Sequence, residues 1–239
     1  MIKKFFDKVL MWLFPPHCPY CSRVIRTHEL LCDDCKAELN KIIINDKCTF
    51  CAMGKDDCSC GKKKSEYKAI IAPFYYDDMI KKAVYNLKFF NDTLACRDMG
   101  YRMALEIQKE YEDIKFDFIT PVPISKKRHR ERGYNQSALL AEIISEETRI
   151  PISDKLICKS IHNAPQNSLS AKERKGNVIG VYEEVDVDLI KDKTILLIDD
   201  IKTTGSTLNE CARVLNANGA KAVYCCTFAV TKNKKKAVQ

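Results

Sequence analysis

The sequence predicts an α/β protein: a parallel-sheet domain preceded by a small cysteine-rich module. Three observations lead there. Strand-like and helix-like patterns alternate from residue 66 to 231. Eight of the thirteen cysteines fall before residue 61. One apolar run, 194–198, ends in the adjacent aspartates Asp199 and Asp200 and then a turn of hydroxyls and glycine. Strands alternating with helices make a parallel sheet covered on both faces. In such sheets ligands bind beyond the carboxyl ends of the strands.

The cysteine module spans 17–61. Its spacing is C-x2-C at Cys18 and Cys21, again at Cys32 and Cys35, and again at Cys48 and Cys51, followed by Cys58 and Cys60. Two-residue gaps let paired thiolates reach one tetrahedral ion from a tight turn. A segment this short, with few large apolar groups, cannot fold on hydrophobic burial alone. Metal ligation supplies what is missing, because binding and folding are one event there. Eight thiolates suit two structural Zn²⁺ sites of four cysteines each, with an iron–sulfur cluster as the minor rival. Spacing leaves sequential and interleaved pairing open. His17 and His28 sit nearby as bystanders.

The 239 residues provide ample length for a core, and 46% hydrophobic with 30% charged residues is ordinary for a globular chain. The formal net charge of +8 favours anionic partners, or only solubility. In residues 1–16, Ile2, Phe5, Phe6, Val9, Leu10 and Leu13 recur at helical spacing. This amphipathic helix either docks on the rest of the chain or lies on a membrane surface or a partner. Asp7 and Lys8 interrupt the apolar run, and no small-residue cleavage site follows. No stretch is long enough to span a bilayer. The expectation is a cytoplasmic protein with reduced thiols.

After the module, 68–76 reads as a strand and 77–90 and 92–112 as helices. Residues 116–122 read as a strand, followed by a basic loop and a helix over 136–148. A short strand is expected at 155–158 and a loop at 160–177. A strand over 194–199, a helix over 207–218 ended by Gly219, and a strand over 222–230 complete the domain. The lysine-rich tail 232–239 is expected to fray.

The run DDIKTTGST, 199–207, carries the chemistry. Gly205 permits a positive φ and close backbone approach. Thr203, Thr204, Ser206 and Thr207 offer hydroxyls, and the following helix start offers unpaired N–H groups, so the turn suits a phosphate. Asp199 and Asp200 cannot face that phosphate, but they can accept hydrogen bonds from sugar hydroxyls. A ribose 5-phosphate fits both halves. With a pyrophosphate at C1′ it is phosphoribosyl pyrophosphate (PRPP), bound as its Mg²⁺ complex. No G-x-x-x-x-G-K-[ST] occurs, which argues against a P-loop NTPase.

DDIKTTGST resembles the PRPP motif of type I phosphoribosyltransferases. Together with FPPHCPYC at 14–21, NLKF at 86–89, PVPISKKRHRERGYNQS at 121–137 and QNSLSAKERKGNV at 166–178, the whole chain resembles the ComF family of competence-associated proteins. That resemblance implies a zinc module in place of the hood of true transferases. It implies a role in natural transformation, helping imported single-stranded DNA across the inner membrane, with a competence helicase or membrane channel as partner and peripheral membrane contact. It also implies a pyrophosphate loop around Val122 and Pro123, and a flexible loop over PRPP that gives Lys172 and Arg174 catalytic roles. Relatives often carry a basic residue and a threonine ahead of Gln166; here His162, Asn163, Ala164 and Pro165 stand there.

Lys126, Lys127, Arg128, Arg130 and Arg132 face one acid, Glu131. Such a cluster attracts polyanions, and Tyr134 beside it could stack a base. It reads as a single-strand groove, a pyrophosphate clamp, or both. Lys81, Lys82 and Lys88, with Phe89 and Phe90, extend the track. Two functions follow: a binding protein that holds PRPP beside single-stranded DNA, or an active (amido)phosphoribosyltransferase with an unidentified acceptor.

Overall fold

A computed structural model describes residues 15–61, 64–89, 92–159, 182–184 and 186–232. The amphipathic segment 1–14, the loop carrying Lys172 and Arg174, Phe90, and the tail beyond Lys232 lie outside the described residues.

The sheet is parallel throughout. Strand β1 (Ala69–Ile71) and its continuation β2 (Phe74–Tyr75) pair with β7 (Ala222–Val230). Next come β6 (Thr194–Lys202) and β3 (Phe118–Pro121). The central strand β6 is buried from Thr194 to Ile198 because both of its faces are covered, which explains its unbroken apolar run. One face carries α2 (Asp78–Phe89), α3 (Thr93–Glu110) and α5 (Gln136–Thr148); the other carries α6 (Ser206–Ala217). Strands β4 (Ile157–Lys159) and β5 (Tyr182–Glu184) form a separate antiparallel ladder.

Two expectations change. The single strand over 68–76 is broken at Ala72-Pro73, because proline has no N–H to give the ladder. The basic segment is a helix, α4 (Lys126–Arg132), and not a loop. Ser125 caps it by accepting from the Arg128 N–H, straight-chain residues favour helix, and Gly133 ends it at φ +81°.

The cysteine module contains two copies of one turn, thirty positions apart (Cys18 to Cys48, Cys21 to Cys51). In each, the residue after the second cysteine has a positive φ, 63° at Ser22 and 62° at Ala52. In each, that residue's N–H donates to the first cysteine's carbonyl at 2.8 Å. Helix α1 (Asp33–Lys41) brings Cys35 to the first copy.

The two copies straddle the β1 edge of the sheet. Cys18, Tyr20 and Leu39 join the core on the α2–α3 face, while Cys51, Ala52 and Met53 join the core on the α6 face. Between them the module bonds to the edge backbone: Ile70 N–H donates to Thr49 O, and Ile44 N–H to Pro73 O, both at 2.8 Å. Buried Lys47 pairs with Glu106 of α3 at 2.6 Å. An open edge invites pairing with another chain, and here it is covered.

Candidate functional site

Neighbouring residues of a strand face opposite ways, and the two aspartates at the end of β6 diverge. Asp199 lines a recess together with Ile201 and residues 202–208. Its Oδ1 accepts from Ser137 Oγ and from the Asp200 N–H, each at 2.9 Å. Asp200 is not part of that lining. It is buried, and its Oδ2 is ion-paired with Lys88 Nζ. Burial and then the Asp200 charge push Asp199 up to about 8, against the opposing pull of the Ser137 hydroxyl.

The turn after β6 is built on Gly205, which sits at φ +81° and caps α6. Thr204 Oγ1 lies 2.9 Å from Ser206 Oγ and accepts from the Ser206 N–H at 3.3 Å. Thr203 and Thr204 are exposed; Ser206 and Thr207 are half-buried. Asp199, Thr203, Thr204, Gly205, Ser206 and Thr207 thus surround one recess, with the hydroxyls on its turn side and the carboxylate at the strand.

Across from β6, Val122 is buried. Its N–H donates to Ile198 O at 2.9 Å, and its carbonyl accepts from Asn135 Nδ2 at 3.1 Å. Pro123 is half-buried. Lys126, Lys127, Arg128 and Arg130 are all exposed on α4. Arg132 is held instead: it donates to Gln136 Oε1 at 2.9 Å and lies 5.5 Å from the Phe89 ring centroid. Phe89 stacks on Tyr85 at 4.7 Å, and both rings are more than half exposed. Tyr134 gives its hydroxyl to the Leu87 carbonyl, tying the end of the basic segment to α2.

Sequence reasoning missed Ser137, Lys159 and Tyr182. Lys159 Nζ lies 5.3 Å from the Tyr182 ring centroid. Burial, then Arg128, lowers the pKa of Lys159, while Asp199 counteracts. Burial, Cys211 and Asp199 raise that of Tyr182. Lys159 thus lies within electrostatic range of both Arg128 and Asp199. No local pattern marks it, because three-residue strands pair across some twenty residues of chain. Lys202, inside the motif, is buried. Burial lowers its pKa, and the Cys51, Cys60 and Cys48 sulfurs pull the other way.

The cysteines form two clusters, Cys18, Cys21, Cys32 and Cys35, and Cys48, Cys51, Cys58 and Cys60, each with all Sγ atoms within 4.8 Å of one another. Pairing is sequential. Cys21–Cys32 is 3.6 Å, Cys51–Cys58 3.5 Å, Cys58–Cys60 3.4 Å and Cys48–Cys60 3.8 Å, and none of the eight is in a disulfide. With Zn–S near 2.3 Å, the edge of a tetrahedron is about 3.8 Å. The sulfurs therefore fit zinc, and four of them leave no open position. Burial raises Cys48, but the N–H of Phe50 and the Cys58 thiol outweigh it and bring the thiol down to about 7.

Comparison with known proteins agrees. The double zinc ribbon domain model matches residues 9–68, and the phosphoribosyl transferase domain model matches 134–239. The chain is thus a phosphoribosyltransferase-fold protein with a double zinc ribbon at its N-terminal side. It is 27% identical to the DNA utilization protein YhgH of Escherichia coli over 86% of each chain. It is 28% identical to competence protein F of Haemophilus influenzae, over 69% of this chain and 74% of that one. It is 26% identical to competence protein ComFC of Bacillus subtilis, over 83% of each. Over most of its length the chain is thus similar to proteins named for DNA utilization and competence. No helix among the described residues is long and apolar enough to cross a membrane.

Proposed function

We propose that the chain binds PRPP or a related ribose 5-phosphate, as its Mg²⁺ complex, at the β6–α6 turn, and serves single-stranded DNA in uptake or utilisation. One observation carries this reading: Asp199 and the hydroxyl-lined 203–207 turn share a recess at the carboxyl end of β6. The terminal phosphate belongs on the turn, where Gly205 bares the backbone. The sugar hydroxyls belong on Asp199. The pyrophosphate belongs near Val122, Pro123 and the basic α4, with Mg²⁺ offsetting its charge.

Support for the DNA half is the exposed row Lys126, Lys127, Arg128 and Arg130 beside the Tyr85–Phe89 stack. Cations track a backbone and aromatic faces take bases. The names of the relatives, DNA utilization and competence proteins, point the same way. The site of action is the cytoplasmic side of the inner membrane, with a competence helicase or channel as partner.

The second reading, an active (amido)phosphoribosyltransferase, is favoured by Lys159, which lies within electrostatic range of both Arg128 and Asp199. There the C1′–oxygen bond breaks, pyrophosphate leaves with the electron pair against these cations, and an acceptor takes C1′.

Calorimetric titration of PRPP–Mg²⁺ tests the first reading. Wild type should bind one equivalent and Asp199→Ala much more weakly; no binding to wild type would overturn it. PRPP turnover with candidate acceptors separates the two readings. For DNA, the log–log salt slope should steepen by roughly 0.7 per phosphate neutralised. Neutralising Arg128 and Arg130 together should flatten it.

A further inference from the structure

Lys202 closes β6 and opens the phosphate turn, yet the residue is only 8% exposed. It lies against Gly205, where a Cβ would come within 3.1 Å of Lys202 Cε. Beyond it is a second hollow, of about 370 Å³, distinct from the Asp199 recess. The 203–206 turn forms one wall of this hollow, and Cys51, Cys60 and Tyr67 stand in the other. Tyr67 fixes that wall by donating its hydroxyl to Phe50 O at 3.2 Å. No carboxylate of the described residues pairs with Lys202.

An ammonium carried by so enclosed a residue is stabilised by a counter-charge close by. Four thiolates around Zn²⁺ carry two net negative charges, the largest local charge on that wall. We propose that Lys202 is the counter-ion of the second cysteine centre. Its ammonium balances a zinc tetrathiolate at Cys48, Cys51, Cys58 and Cys60, and its stem braces the phosphate turn against that knuckle. Lys202 is thus a positioning residue that ties metal retention at one knuckle to anion binding at the turn. The first knuckle lies on the opposite face of the sheet and is outside this link. Only the anion-binding half rests on the ribose 5-phosphate reading.

The test uses full-length protein loaded with two equivalents of zinc. Zinc release to a chromogenic chelator is followed for wild type, Lys202→Met and Lys202→Arg. Alkylation with mass spectrometry shows which cysteines are freed. Outer-shell partners of a metal site are worth on the order of tenfold or more in metal affinity. Lys202→Met should release the equivalent held by Cys48–Cys60 about that much faster and leave the other unchanged; Lys202→Arg should stay near wild type. Ribose 5-phosphate affinity, by calorimetry, should fall in Lys202→Met as well. Wild-type release from a folded Lys202→Met overturns the proposal. If that variant does not fold, Lys202→Gln is compared with Lys202→Arg, and equal release rates overturn it. Should wild type bind no ribose 5-phosphate, the reading of the turn falls, while the zinc measurement still decides the role of Lys202.

Discussion

The ammonium of Lys88, in the last turn of α2, rests on Oδ2 of Asp200 at the end of β6. The Lys88 side chain is 21% exposed and that of Asp200 6%. Removing one partner of a buried pair leaves the other charge uncompensated, at about 3–5 kcal/mol when both are dry. Lys88 is partly wet, so Lys88→Met is expected to lower stability by roughly 2 kcal/mol. Adding Asp200→Asn should recover part of this loss. A double-mutant cycle by urea denaturation measures the coupling; additivity would show that the pair contributes nothing.

Asp199 gives stability a pH dependence. Its folded-state pKa is raised, so the fold keeps a proton that the unfolded chain has already lost. The contribution is fully present below about pH 4 and is lost as pH rises through about 8. Asp199→Asn should remove that slope between pH 4 and 8, seen in denaturation midpoints across the window. Ribose 5-phosphate binding should run the opposite way: the ionised carboxylate is the better acceptor for sugar hydroxyls, so affinity should rise from pH 7 to 9 in wild type and stay flat in the variant.

Zinc removal should act on the sheet as well as on the module. The knuckles hold Thr49 and Ile44 against β1 and Pro73, and so cover the sheet edge. Chelation is expected to lower the melting midpoint by on the order of 10 °C and to induce self-association. Calorimetry and light scattering on the same sample report both. A cysteine-to-serine change in either cluster should halve the zinc content.

Much of the fold can be read from local pattern. Strand β7 is legible end to end, and β6 through Asp199, because burial on both faces leaves an unbroken apolar run. Helix α5 is legible from its apolar spacing. Helix α4 is not, since seven residues of almost pure charge have no apolar face, and helix propensity, a cap and a glycine stop are its cues. The paired site is the harder part. The turn at 203–207 is one continuous segment and announces itself. Lys88 and Ser137 reach Asp200 and Asp199 from two other elements, and only the packing of those elements brings them there. The repeat of the cysteine turn was visible as C-x2-C spacing, but its doubling around the sheet edge depends on β1 being the outermost strand.

Gly205→Ala isolates the turn from the rest of the site. At φ +81° an added Cβ strains the backbone, and it would also meet Lys202 Cε at 3.1 Å. An alanine in that region costs about 1–2 kcal/mol, and the lysine stem must shift as well. Stability should therefore fall by roughly 2 kcal/mol, with the sheet and both zinc centres retained. The effect on ligand should be larger than the effect on fold, because the turn's N–H groups depend on this conformation to face an anion. PRPP–Mg²⁺ affinity should drop at least tenfold, while single-stranded DNA binding along α4 stays within about twofold of wild type. Equal losses of both would mean that the two ligands share the turn.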